Sequence, residues 1–227
     1  MNSVITEPST LAAGQRMDRA TFHARYLETP EHFKAELIDG VVFVASPISL
    51  YHALPNDALF YLMKSYSAST PGIEAAANLT CFVDDEHEVQ PDAAMWIQPE
   101  LGGQVRIVDG YIVGLPELVV EVAYSTVDRD LKTKRKLYED RGVREYLVYR
   151  ADIEELIWFR READAFVRHV PDADGVFRSV VFPGLQFRVE DLVAGNVGGL
   201  MATLQLGLAS QAHADFVQSL AQRRRAS

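Results

Sequence analysis

Short apolar runs bounded by Gly, Pro, Asp or Asn alternate along this chain with longer stretches in which apolar residues recur at helical spacing. The first firm element is Ala35-Glu36-Leu37-Ile38-Asp39-Gly40-Val41-Val42-Phe43-Val44. Its Asp-Gly pair between two apolar-rich runs predicts a hairpin, because a type I′ turn needs positive φ at both central residues. Leu59, Leu62, Met63 and Tyr66 then lie on one face of a helix. Pro55 suits a first turn, so regular helix is expected from near Leu54, or a kink there. Further strands are expected at Leu79–Val83, Ala93–Ile97, Leu118–Tyr124, Tyr146–Tyr149, Leu156–Arg160, Ala165–His169 and Val180–Val189. A helix is expected over Ser125–Arg141: Ser125 and Asp128 have capping-box spacing, and Gly142 stands where a helix stops.

Three segments follow. Residues 1–30 form an N-terminal arm with a short helix around Phe22, Tyr26 and Leu27. Residues 31–192 form the main domain, and residues 193–227 a tail of one or two helices ending in Arg223-Arg224-Arg225. The tail residues Leu200, Leu204, Leu206, Ala209, Phe216 and Leu220 present more apolar surface than a small tail leaves in water, which predicts a homodimer.

Composition narrows the function classes. With 48% hydrophobic and 24% charged residues the chain is globular. One cysteine, Cys81, permits no internal disulfide and fits a cytoplasmic protein. No membrane span and no secretion signal are expected. The net charge of −10 argues against tight, metal-free, nonspecific binding to a phosphate backbone. It is compatible with a nucleic-acid enzyme whose acids hold a cation.

The chemistry gathers around Leu118-Val119-Val120-Glu121-Val122-Ala123-Tyr124, an almost wholly apolar run that reads as a strand buried on both faces. Glu121 in its middle must be paired, protonated or bound to metal, since a lone buried carboxylate costs several kcal/mol. Asp92 precedes another apolar strand; alone it reads as a turn aspartate, but two carboxylates on neighbouring strands suit a hard divalent cation. At about 100° per residue, Lys134 falls at the centre of the apolar arc formed by Val127, Leu131, Leu137 and Tyr138. Lys132 and Lys136 point the other way. Asp84-Asp85-Glu86-His87-Glu88 looks metal-like in composition but reads as an exposed turn.

The blocks AELIDGVVFVASPISLYH, VQPDAAMWI, LPELVVEVAYSTVDRDLKTKRKLYEDRGVREYLVY and FPGLQFRVEDL resemble the Uma2-like (DUF820) family, a branch of the PD-(D/E)xK nuclease superfamily, over roughly residues 31–192. The resemblance implies an α/β fold with a restriction-endonuclease-like core, a mixed β-sheet flanked by α-helices. Asp92 matches the motif's aspartate and Glu121 its second acid. Ala123 stands where the usual lysine would be, and Lys134 matches a lysine moved to the following helix. Glu36 and His52 match the ELIDG and SPxSxxH blocks on the far side of the same pocket; by themselves they read as a cross-strand ion-pair partner and a helix-start histidine. Pro55 and Leu147, where family members usually continue a helix and carry a tryptophan, depart from the pattern. The implied activity is endonucleolytic hydrolysis of DNA with Mg²⁺ or Mn²⁺ held by Asp92, Glu121 and the Val122 carbonyl. The rival expectation is a noncatalytic module that kept the fold.

Overall fold

The Asp39-Gly40 turn forms as its sequence predicts, with φ of 52° and 68°. The computed structural model describes residues 11–226, so the first ten residues of the expected N-terminal arm and Ser227 lie outside it. Helix α1 (Arg19–Tyr26) precedes β1 (Ala35–Ile38), β2 (Val41–Val44) and α2 (Leu50–Ser69). Strands β3 (Ile73–Ala77), β4 (Cys81–Asp84), β5 (His87–Val89) and β6 (Ala93–Ile97) follow, then β7 (Arg106–Val108), β8 (Tyr111–Val113) and β9 (Leu118–Ala123). A π-helical segment, Arg129–Lys134, runs into α3 (Arg135–Asp140). The chain continues through β10 (Glu145–Arg150), β11 (Glu155–Glu162), β12 (Ala165–His169), β13 (Val176–Arg178) and β14 (Gln186–Arg188) to α4 (Val189–Val193), α5 (Val197–Leu208) and α6 (Gln211–Ala226).

Two six-stranded mixed sheets dominate, ordered β2-β1-β5-β4-β8-β7 and β12-β11-β10-β9-β6-β3. In the second, β9 and β10 are parallel and the other pairs antiparallel. A parallel pair needs a crossover, and the π-helical segment with α3 supplies it. Alternation along β9 sorts its side chains. Val120 and Val122 join the core under α2 and α5, whereas Val119 and Ala123 join the core under α3, which also takes Ile38 and Cys81 from the first sheet. Glu121, in phase with Val119 and Ala123, therefore faces α3 and the first sheet.

Several expectations need correction. Helix α2 begins at Leu50, not near Leu54, and contains Pro55. The crossover helix begins after Thr126, whose hydroxyl bonds the Asp130 carboxylate; Asp128 caps nothing and instead pairs with Lys132 at 3.1 Å. At its other end Gly142, at φ 81°, ends α3 in the expected way. The 84–88 run is not all exposed turn. His87 and Glu88 are buried, His87 against Asp84 and Asp39, Glu88 against His23. The tail holds two helices, α5 and α6, as expected, but Leu200, Leu204 and Leu220 are buried in the chain's own core. Of the residues behind the homodimer expectation, Leu206 and Ala209 are exposed, Leu206 at 72%, and Phe216 is half-buried against the same core.

Of the expected strand Val180–Val189 only β14 forms, because Phe182-Pro183-Gly184-Leu185 turns between β13 and β14 and Val189 begins α4. Gly184, at φ 94°, sits against α5, where a Cβ on Gly207 would lie 2.1 Å from the Gly184 carbonyl oxygen. Gly207→Ala is expected to destabilise the fold by about 1–3 kcal/mol through overpacking. That sign opposes the roughly 1 kcal/mol that alanine gains over glycine inside a helix. Urea unfolding of the two proteins measures it.

Candidate active site

Register brings the two acids together. Ala93 pairs with Val120 across β6 and β9, so Asp92, one residue earlier, is level with Glu121 on the same face. The Val122 N–H donates to Asp92 Oδ2 at 2.7 Å, and His52 Nε2, on the first turns of α2, lies 3.1 Å from the same oxygen. Lys134 Nζ lies 2.8 Å from Glu121 Oε1 and 2.8 Å from Glu36 Oε1. The Gln90 N–H fixes Glu36 through Oε1 at 2.8 Å, and the Tyr138 hydroxyl donates to Glu121 Oε1 at 2.8 Å. Asp92, Glu121, Val122, Lys134, Glu36 and His52 all line one cavity of about 110 Å³.

Sequence reasoning missed Asp130, Arg129, Thr126 and Tyr124, which line the same cavity, and gave Tyr138 only a packing role. Asp130 is buried although it is an acid in a helix that carries many charges. A signal for it existed: it stands four residues before Lys134, on the same face. The helical phase itself needs revision, because Arg129–Lys134 is π-helical, with wider i→i+5 turns. Lys134 nonetheless points inward, 2% exposed, while Lys132 stays in solvent.

Charge in the site is unbalanced. Four carboxylates, Glu36, Asp92, Glu121 and Asp130, line the cavity, and Lys134 is the cation placed directly on two of them. Burial pushes the Glu121 pKa far above the ordinary carboxylate range; Lys134 opposes this, and Asp92, Asp130 and Glu36 reinforce it. Burial likewise raises Asp130 against the pull of Lys134. For Lys134 burial disfavours the charge, but Glu121, Glu36 and Asp130 outweigh it and hold the ammonium protonated. For Asp92 burial is outweighed by the hydrogen bond and charge of His52 and by the Val122 N–H, so its pKa falls. His52, disfavoured as a cation by burial, is raised by Asp92.

This donor set suits a hard divalent cation: carboxylate oxygens in excess of nearby positive charge, in a cavity with room for water. Among the described residues no three His, Cys, Asp or Glu side chains form a ready cage. Mg²⁺ is typically bound through one or two carboxylates plus water and phosphate, so Asp92 and Glu121 meet that demand.

Fold and site together define an α/β protein of nuclease-like architecture with an acid–lysine cluster at the end of a central strand. The family model Uma2, described as "Putative restriction endonuclease", matches residues 20–190, and the chain belongs to that family. Among solved structures it is similar to one described as a putative nuclease belonging to DUF820 from Anabaena variabilis ATCC 29413, at 15% identity and a TM-score of 0.60. The match covers 76% of this chain and 97% of that one, and it shows the shared fold. No curated protein matches the chain. No described helix is long and apolar enough to cross a membrane.

Glu121→Gln tests the electrostatic account. A carboxylate whose folded pKa is raised takes up protons on folding, so its contribution to stability falls as pH climbs above the unfolded value of 4.5. The glutamine has no such loss. Its melting temperature relative to wild type is expected to improve as pH rises above about 5, in metal-free buffer, by differential scanning calorimetry. A constant difference across that range would contradict the raised pKa.

Proposed function

We propose that this protein is an endonuclease that hydrolyses phosphodiester bonds of DNA with Mg²⁺ or Mn²⁺, in the cytoplasm. The observation that carries the reading is Lys134, fully buried yet bonded at 2.8 Å to Glu121, the acid level with Asp92 on the neighbouring strand. Asp92, Glu121 and the Val122 carbonyl would hold the cation. When bound, such an ion polarises a phosphate and lowers the pKa of a coordinated water.

The chain's own groups perform the remaining tasks. Lys134, kept protonated by its three acids, presents a donor to charge that develops on the phosphate oxygens. Glu36 and Tyr138 hold the two ends of the Lys134–Glu121 pair in place. The His52 ring fixes Asp92, leaving its own Nδ1 buried without a hydrogen-bond partner among the described residues.

One observation favours a second reading. Lys134 already has two carboxylate partners, as a purely structural lysine would, so the same geometry suits a module that binds nucleic acid without cutting it. The two readings part on Lys134→Ala. Removing one transition-state contact typically costs on the order of 100-fold or more. Lys134→Ala is therefore expected to lose nicking of plasmid and single-stranded DNA, and Lys132→Ala, on the solvent side, to keep it. Circular dichroism checks folding. Equal cleavage by Lys134→Ala and wild type would overturn the catalytic role. No cleavage by wild type, with Mn²⁺ still raising the melting temperature and Asp92→Asn abolishing that rise, would favour the binding module.

A metal titration tests the ligand set separately. Mn²⁺ at saturating excess is expected to stabilise the folded protein by about 3 kcal/mol at a hundred times its Kd. The gain should vanish in Asp92→Asn and in Glu121→Gln.

A further inference from the structure

The mouth of the cavity carries an aromatic pair that the acids and the lysine do not explain. Tyr124 directly follows β9, three residues after Glu121, and lines the cavity. Tyr51 stands beside His52 on α2. Their rings stack with centroids 5.6 Å apart and planes 14° from parallel. Both are open to water, Tyr51 at 68% and Tyr124 at 44% exposed, and Ile48, Leu50 and Leu54 extend the exposed apolar rim. Buried aromatic pairs hold a core together, but this one sits in solvent.

The same mouth holds cationic groups. Arg129 and Lys34 line the cavity with Tyr124. The Arg129 guanidinium lies 5.6 Å from the centre of the Phe43 ring, and its Nε is buried with no hydrogen-bond partner among the described residues. A planar stacking surface at the mouth of a cavity that an arginine also lines fits one kind of ligand: an unsaturated ring carrying a nearby phosphate.

We infer that Tyr51 and Tyr124 form a stacking platform for an unpaired base next to the scissile phosphate, so that the substrate is single-stranded DNA or a locally unstacked segment. The inference rests on the nuclease reading and narrows its substrate. An intact duplex offers no free base face at its interior, whereas a single strand offers one at every nucleotide. Charge points the same way. At a net −10 the chain is poorly suited to a duplex held by many phosphate contacts, so affinity must come largely from a few donors and from stacking. Arg129 would then hold the phosphate adjoining the stacked base, and the two tyrosines would act as positioning residues.

The test uses the full chain and a fluorescein-labelled oligonucleotide, single-stranded or annealed to its complement. Anisotropy in metal-free buffer reads binding, and cleavage with Mg²⁺ reads KM and kcat. Wild type is expected to bind the single strand more tightly than the duplex. Tyr51→Ala and Tyr124→Ala should weaken single-strand binding roughly tenfold or more, as loss of a base–aromatic stack does. The same variants should raise KM with little change in kcat, and Tyr51→Phe and Tyr124→Phe should restore both. A 2-aminopurine base in the strand should lose fluorescence on binding wild type and keep it with the alanine variants. Unchanged binding in the alanine variants, or a wild-type preference for duplex, would overturn the platform while leaving nuclease activity intact. A concentration-dependent dimer that Tyr51→Ala dissolves, with DNA binding unaltered, would assign the patch to contact between copies and would also overturn it. A wild type that neither binds nor cuts DNA would overturn both the platform and the nuclease reading.

Discussion

The site depends on one buried ammonium. Lys134, carried by the crossover helix, reaches Glu36 on the first sheet and Glu121 on the second, each at 2.8 Å. Three layers of the molecule thus converge on a single nitrogen. Taking these groups out of water is costly, and removing one member of a buried ion pair commonly costs about 3–5 kcal/mol because the remaining charge has no partner. The arrangement survives because the other groups around it are also satisfied: the Gln90 N–H holds Glu36, and the Tyr138 hydroxyl holds Glu121.

The second constraint is the excess of acid. One lysine faces Glu36, Glu121 and Asp130, while His52 attends to Asp92. A fold selected for stability alone would sooner place apolar side chains there, since well-packed hydrophobic residues often match or exceed a buried ion pair. The chain instead keeps a negatively charged cavity between two apolar cores, one under α2 and one under α3. Raised carboxylate pKa values at Glu121 and Asp130 are the local sign of that choice.

Much of this could be read in the residues. Apolar runs placed the strand that carries Glu121 and the one that Asp92 precedes, the Asp39-Gly40 pair placed the hairpin that carries Glu36, and the apolar arc turned Lys134 inward. What escaped was set by contacts between distant segments. The Val180–Val189 run has the composition of one strand, but Gly184 packing on Gly207 requires a turn there. Asp130 was passed over among the helix's other charges, although it stands four residues before Lys134 and is buried like it. His87 and Glu88 looked like turn residues because their partners, Asp39 and His23, lie far away in sequence. Tyr51 was hidden by the expectation that α2 begins only near Leu54.

A lysine two residues beyond an acid on one strand would have its position fixed by the pleat. Here Ala123 occupies that place, and the ammonium arrives on a helix joined to β9 by the short Tyr124–Thr126 link. The acids and the base are therefore mounted on separate parts of the scaffold. One extra residue within the helix ahead of Lys134 would turn that side chain by about 100° and carry it out of the cavity, leaving the strand positions of Asp92 and Glu121 unchanged. The π-helical segment, with its wider turn, acts as a phase adjuster between strand and helix. The connection thus behaves as a dial: its length and winding set whether a positive charge meets the carboxylates, while the strands that bear them stay still.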